Sequence, residues 1–241
     1  MKFLYFAVIG FAIIIPFFSS FGPKIQFYKK WKYLLPSMLL TMLVFIPWDI
    51  LKTHHGVWGF NSNYISGLYL INLPLEEWLF FISVPYACIF TYEVVILLVK
   101  KDIFHKFHKG ISIFLIFFLL LVAMLFHDRI YTMVTFIALA FMLVIHQFVI
   151  RSKYLSYFYL TYLICLLPFL LVNGILTGSF IPEEIVWYND SENLGIRLFT
   201  IPVEDVFYGM LLILINLTFY NFLKNRKKNS ESQQVTEQHI V

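Results

Sequence analysis

Pro74-Leu75-Glu76-Glu77 opens one long apolar run, and Pro202-Val203-Glu204-Asp205 opens another. Each doublet follows a glycine (Gly67, Gly195), and each glycine follows an asparagine (Asn61, Asn189), so one offset of 128 positions carries the first signature onto the second without a gap. Aromatic positions agree as well, Phe60 with Tyr188 and Phe80 with Tyr208. Carboxylates are unfavourable beside hydrocarbon, so a doubled acid pair at the mouth of two membrane-length runs reads as a duplicated site. A plain helix start would explain the proline and the acids, through the fixed proline φ and the positive end of the helix dipole. It would not call for the matching asparagine, glycine and aromatic positions. Neighbouring helical residues point about 100° apart, so both members of a doublet cannot face the bundle squarely. The sequence does not say which one does.

The composition sets the solvent. Hydrophobic residues make up 60% of the 241 positions and charged residues only 13%, more apolar surface than a water-soluble domain of this length can bury. Membrane-length apolar runs fall at 3–21, 33–51, 74–99, 110–126, 130–150, 154–176 and 201–223. The expected fold class is therefore an all-α integral membrane protein with seven transmembrane helices. The offset maps helices 1–3 onto helices 5–7, with helix 4 as connector. A shift of four spans preserves orientation, so the two three-helix repeats are expected to be parallel. The boundaries that follow are 1–99 for the first repeat, 100–129 for the connector with helix 4, 130–223 for the second repeat and 224–241 for a polar, disordered tail.

Basic residues are placed unequally. Fourteen of the 18 Lys and Arg lie in the connections after helices 1, 3 and 5 and in the tail, against four on the other side: Lys2, Lys52, Arg129 and Arg197. The positive-inside rule then puts the N-terminus outside and the C-terminus in the cytoplasm. Both acid doublets, and both long connections (52–73 and 177–200), come to the outer side.

Asp49, in Pro47-Trp48-Asp49, and Asn173, in Asn173-Gly174, end helices 2 and 6 on the outer side. Each is placed where it can meet the acid pair of its own repeat, with a solvated helix end as the bland alternative for Asp49. Glu93 reads as a snorkelling residue near the inner end of helix 3. Arg197 is the basic residue near the second doublet and can pair with a carboxylate or a loop carbonyl. His54-His55 lacks a third ligand at helical spacing, His105 and His108 read as solvated, and His146 reads as a satisfied bundle histidine. Cys88 and Cys165 have no metal-ligand spacing, so no metal site is expected. No dinucleotide fingerprint, P-loop or His-Glu-x-x-His run is present, and helix 7 carries no internal lysine for a retinal Schiff base.

With those residues in place, Pro47-Trp48-Asp49, Gly56-Val57-Trp58-Gly59-Phe60 and Pro74-Leu75-Glu76-Glu77 resemble the first half of the membrane lycopene cyclases. Asn173-Gly174-Ile175-Leu176-Thr177, Gly195-x-Arg197 and Thr200-Ile201-Pro202-Val203-Glu204-Asp205 with Tyr208 resemble the second half. These are cofactor-independent carotenoid cyclases, heterodimeric in some bacteria and fused in others; this chain looks like a fused form. One departure is Asn221, where the first half has Glu93. The resemblance implies a lycopene beta-cyclase, an intramolecular lyase or isomerase of carotenoid biosynthesis. It would act in the bacterial inner membrane on a carotenoid, without nucleic acid, as a homo-oligomer or beside other carotenoid enzymes.

Under that resemblance Glu76, Glu77, Glu204 and Asp205 are the expected catalytic acids. Asp49, Trp58, Asn173, Arg197 and Tyr208 are the expected supporting or substrate-binding residues. A proton adds to the terminal alkene, the neighbouring alkene attacks the cation, and a second proton leaves as the ring alkene forms. The alternatives carried beside this reading are a proton-coupled membrane transporter, a cyclase acting on a C50 carotenoid, and a subunit without chemistry.

Overall fold

The computed structural model describes residues 1–152 and 154–238, with side chains described as far as Arg226. Lys153, Lys227 and Lys228, counted above in the charge bias, thus have no described side chain, and residues 239–241 of the expected tail lie outside the described residues. Seven α-helices make up the body: α1 (Leu4–Ser19), α2 (Trp31–His54), α3 (Leu75–Leu98), α4 (His108–Leu125), α5 (Ile130–Val144), α6 (Leu155–Leu176) and α7 (Val203–Gln238). A π-helical turn, Ile145–Val149, prolongs α5, and a 3-10 turn, Phe27–Lys30, precedes α2. Among the described residues, six helices are long and apolar enough to cross a membrane.

The seventh expected span falls short. The 16 residues of α1 rise about 24 Å, less than the ~30 Å hydrocarbon core. The helix stops because Ser20 turns its hydroxyl onto the Pro16 carbonyl and Gly22-Pro23 follows, and a proline disfavours helical backbone in the residue before it. At the other end of the chain, α7 continues to Gln238, through a stretch expected to be a disordered tail. That stretch is rich in Lys, Glu and Gln, all good helix formers, and it propagates a helix already nucleated in the bundle.

The helices pack in matching pairs: α1 on α3 and α5 on α7, α2 along α7 and α6 along α3, with α4 against α5. Six short strands lie at the end of the bundle where α3 and α7 begin. Two hairpins, β2 (Tyr69–Leu70) with β3 (Leu73–Pro74) and β5 (Arg197–Leu198) with β6 (Ile201–Pro202), lead straight into α3 and α7. Gly67 (φ 86°) and Gly195 (φ 69°) supply the left-handed turn entering each hairpin. The proline closing each hairpin then starts the helix, where a missing N–H is harmless.

The remaining strands tie the halves together. β1 (Trp58–Phe60) and β4 (Val186–Tyr188) are antiparallel, with Trp58 opposite Tyr188, Gly59 opposite Trp187 and Phe60 opposite Val186. Gly59 thus faces the residue 128 positions later. A Cβ there would lie 2.4 Å from the Trp187 ring, which is why this position is glycine.

At the far end of the bundle Glu93 is buried rather than snorkelling. It accepts hydrogen bonds from Tyr220 (2.5 Å), Lys224 (2.7 Å) and Lys30, so the cations come to it. His146 is buried between the Ser152 hydroxyl (2.6 Å) and the Thr218 hydroxyl (2.8 Å).

Candidate active site

The two doublets are divided alike. The first member of each turns away from the bundle centre to hold its own hairpin. Glu76 accepts the Ser66 backbone N–H at 2.6 Å, and Glu204 accepts the Leu194 N–H at 2.8 Å and the Thr132 hydroxyl at 2.5 Å. These N–H groups lie ten residues before their acids in both copies. Both carboxyls are fully buried, and neither lines the cavity described next.

The second member faces inward. Glu77 and Asp205 line a cavity of about 410 Å³ between α1, α3, α6 and α7, roofed by β1, β4 and the end of α2. The sequence expected Asp49 to reach the first pair and Asn173 the second, and both contacts form. Asp49 is 1% exposed and its carboxyl is in hydrogen-bonding contact with that of Glu77. Asn173 donates its amide to Asp205 Oδ2 at 2.7 Å.

The rest of the coordination differs between the copies. Tyr5 donates to Glu77 Oε2 at 2.5 Å, and Tyr208 crosses from α7 to donate to Asp49 Oδ1 at 2.9 Å. Asp205 accepts from Tyr131 at 2.5 Å and Tyr188 at 3.0 Å in addition to Asn173. Two carboxyls placed this close can share a proton, which lets one donate to the other. Three neutral donors occupy the oxygens of Asp205. Burial first, and then the Asp205 carboxylate beside it, push the Tyr188 phenol well above its ordinary range, so it remains a donor at neutral pH.

Aromatic rings surround these acids. Trp58 lies 5.2 Å from the Tyr131 ring and 6.4 Å from the Tyr208 ring, between centroids, and Phe60 and Phe80 complete the wall. Such faces attract a cation, most strongly where water is absent. The arrangement sets a carboxyl pair, a third carboxyl and a π-rich wall at one end of an apolar slot.

Arg197 lies elsewhere. It is exposed, 2.6 Å from Asp190 and bonded to the Thr200 carbonyl, so it staples the hairpin instead of meeting a doublet. The sequence reading missed Tyr5 and Tyr131, and it noted Tyr188 only as an aromatic match. Tyr5 and Tyr131 make the same contact to the inner acid of their own half, yet they are 126 positions apart, not 128, and a rigid offset hides them. Asp49 and Asn173 likewise play matching parts 124 positions apart.

Among known families, the model described as Lycopene cyclase matches residues 2–95 and 128–223, well over half of the chain. The two matched segments each contain one doublet. No curated protein and no solved structure matches the chain.

Proposed function

We propose that this chain, which belongs to the lycopene cyclase family, is a lycopene beta-cyclase that closes acyclic carotenoid ends to β-ionone rings without net oxidation or reduction. The observation that carries this reading is the convergence of Glu77, Asp49 and Asp205 at one end of an apolar, aromatic-walled slot. The Asp49–Glu77 pair supplies its shared proton to the terminal alkene, and a tertiary cation forms on the substrate. The neighbouring alkene attacks that cation and closes the ring. Loss of one ring proton to a carboxylate completes the ring alkene, so one proton is taken up and one released. Asp205 stays ionised as the fixed counter-charge, and Trp58 and the tyrosine rings face the cation. Alkenes are very weak bases, so close placement and exclusion of water must add to the acidity of the carboxyl. Such a reaction is an isomerisation, in the class of intramolecular lyases.

The accompanying topology is two parallel three-helix repeats about an axis through the Gly59–Trp187 pair, with six full-length spans, the shorter α1 lying alongside α3, and α4 as connector. The strand register and the paired helix contacts support it. The bias of Lys and Arg supports an outside N-terminus and a cytoplasmic C-terminus in a bacterial cytoplasmic membrane. Expression in a lycopene-accumulating host tests the function. Conversion of red pigment to orange-yellow cyclic product is expected, and unchanged lycopene with the protein present in the membrane contradicts it.

A further inference from the structure

The slot is not closed within the protein. On α3 its lining runs from Glu77 to Thr91, about 21 Å at 1.5 Å per residue. A volume of about 410 Å³ spread over that length leaves room for one extended chain. Part of its lining is also outer surface: Phe11 and Ile15 on α1 are 55% and 68% exposed, and Pro168 and Leu171 on α6 are exposed beside them. All four lie within apolar helices, so the medium they meet is hydrocarbon.

The matching helices of the other half carry different side chains at the equivalent positions. Where α7 has Gly209, with the Phe169 ring 3.8 Å from its Cβ position, α3 has Phe81, 128 positions earlier and fully buried against Phe45. Where Cys88 touches Cys165, Asn216 donates to Thr41 at 3.1 Å. A benzyl group and a polar clasp thus occupy the place of a glycine and two thiols.

We propose that an acyclic polyene end slides sideways from the bilayer between α1 and α6, through the Phe11–Ile15–Leu171 mouth, and lies along Gly209 with its tip at the inner carboxyls. Gly209 then decides which chains fit, and one molecule treats one end at a time. A carotenoid is about as long as the ~30 Å hydrocarbon core, so much of it stays in the mouth and the lipid while its tip reacts. A second ring requires release and return of the other end. This inference rests on the cyclase reading, so the two must be tested separately.

The test uses full-length protein in lipid nanodiscs with lycopene as probe. Pigment retention is measured on the Glu77→Gln background, where turnover is removed but the slot is intact. Gly209→Phe, copying Phe81, is expected to abolish retention, and Gly209→Ala, whose methyl group has room, to retain at least half. In the otherwise unaltered enzyme, Ile15→Trp or Leu171→Trp is expected to lower kcat/KM at least tenfold with kcat within twofold. Leu43→Trp, on the exposed face of α2 away from the mouth, is expected to change neither. Full retention by folded Gly209→Phe, or equal damage from Leu43→Trp and Ile15→Trp, overturns the proposed path. Retention of lycopene with no cyclisation by the unaltered protein overturns the cyclase reading and leaves the path standing.

Discussion

The two halves hold their inner carboxyls by different means. Glu77 meets a second acid, Asp49, and one phenol; Asp205 meets two phenols and an amide. The backbones leading to them are alike, down to the glycine, the hairpin and the N–H held by the outer acid. Duplication therefore supplies the geometry, and divergence in the neighbours gives the two inner carboxyls different partners, which is the basis of the separate roles proposed for them. The same division explains how one slot serves both halves: Phe81 fills on one side what Gly209 leaves open on the other.

The largest expected effect breaks the comparison at its centre. Glu77→Gln or Asp205→Asn is expected to lower conversion at least ~100-fold, the scale of a lost general acid or counter-charge, with membrane content unchanged. Conversion within tenfold of the unaltered enzyme in both variants would remove the assignment. A second experiment separates the two roles. A tertiary-amine analogue of the acyclic end carries the charge of the cation, and its inhibition constant is expected to rise about tenfold or more in Asp205→Asn. Asp49→Asn is expected to leave that constant within threefold while lowering turnover. A larger loss of inhibitor binding in Asp49→Asn would exchange the two roles.

The outer acids give a smaller effect of another kind. Glu76→Gln and Glu204→Gln are expected to keep conversion within about tenfold, since each is turned away from the slot. Glu76→Ala and Glu204→Ala remove the acceptor of a part-buried N–H and are expected to cost about 1 kcal/mol, read as a lower Tm. Loss of conversion in the Gln variants as deep as in Glu77→Gln would show that both members of a doublet act in the chemistry. The smallest effect belongs to Arg197→Ala, whose exposed ion pair with Asp190 contributes about 0–1 kcal/mol; conversion and Tm are expected to change little.

What the sequence disclosed follows from where its repeat is rigid. Hairpin geometry tolerates no insertion, so Gly67 and Gly195, Pro74 and Pro202, and the acids behind them keep one spacing and stand out. Helices tolerate changes of phase by shifting in length where they meet the loops. The equivalences of Tyr5 with Tyr131, and of Asp49 with Asn173, therefore disappear under one offset. Asp49 and Asn173 were still found, because a polar residue ending an apolar helix is visible without any alignment. Tyr5 and Tyr131, among 15 tyrosines in a chain that is 20% aromatic, carried no such mark. The choice between neighbouring acids was illegible for a geometric reason: it depends on the helix phase set by packing of α1 on α3 and α5 on α7. The length of α1 was misjudged because hydrophobicity continues to Phe21 after helical backbone has ended at Ser19.

Single-turnover cyclisation in membranes equilibrated with deuterated water tests the central claim most directly, because exchangeable carboxyls then hold deuterium before substrate arrives. The account expects cyclic product from the first turnover with one deuterium per ring, and no labelled product from the Glu77→Gln variant. Cyclic product free of deuterium, or equal labelling by Glu77→Gln, would contradict proton delivery by the inner acids.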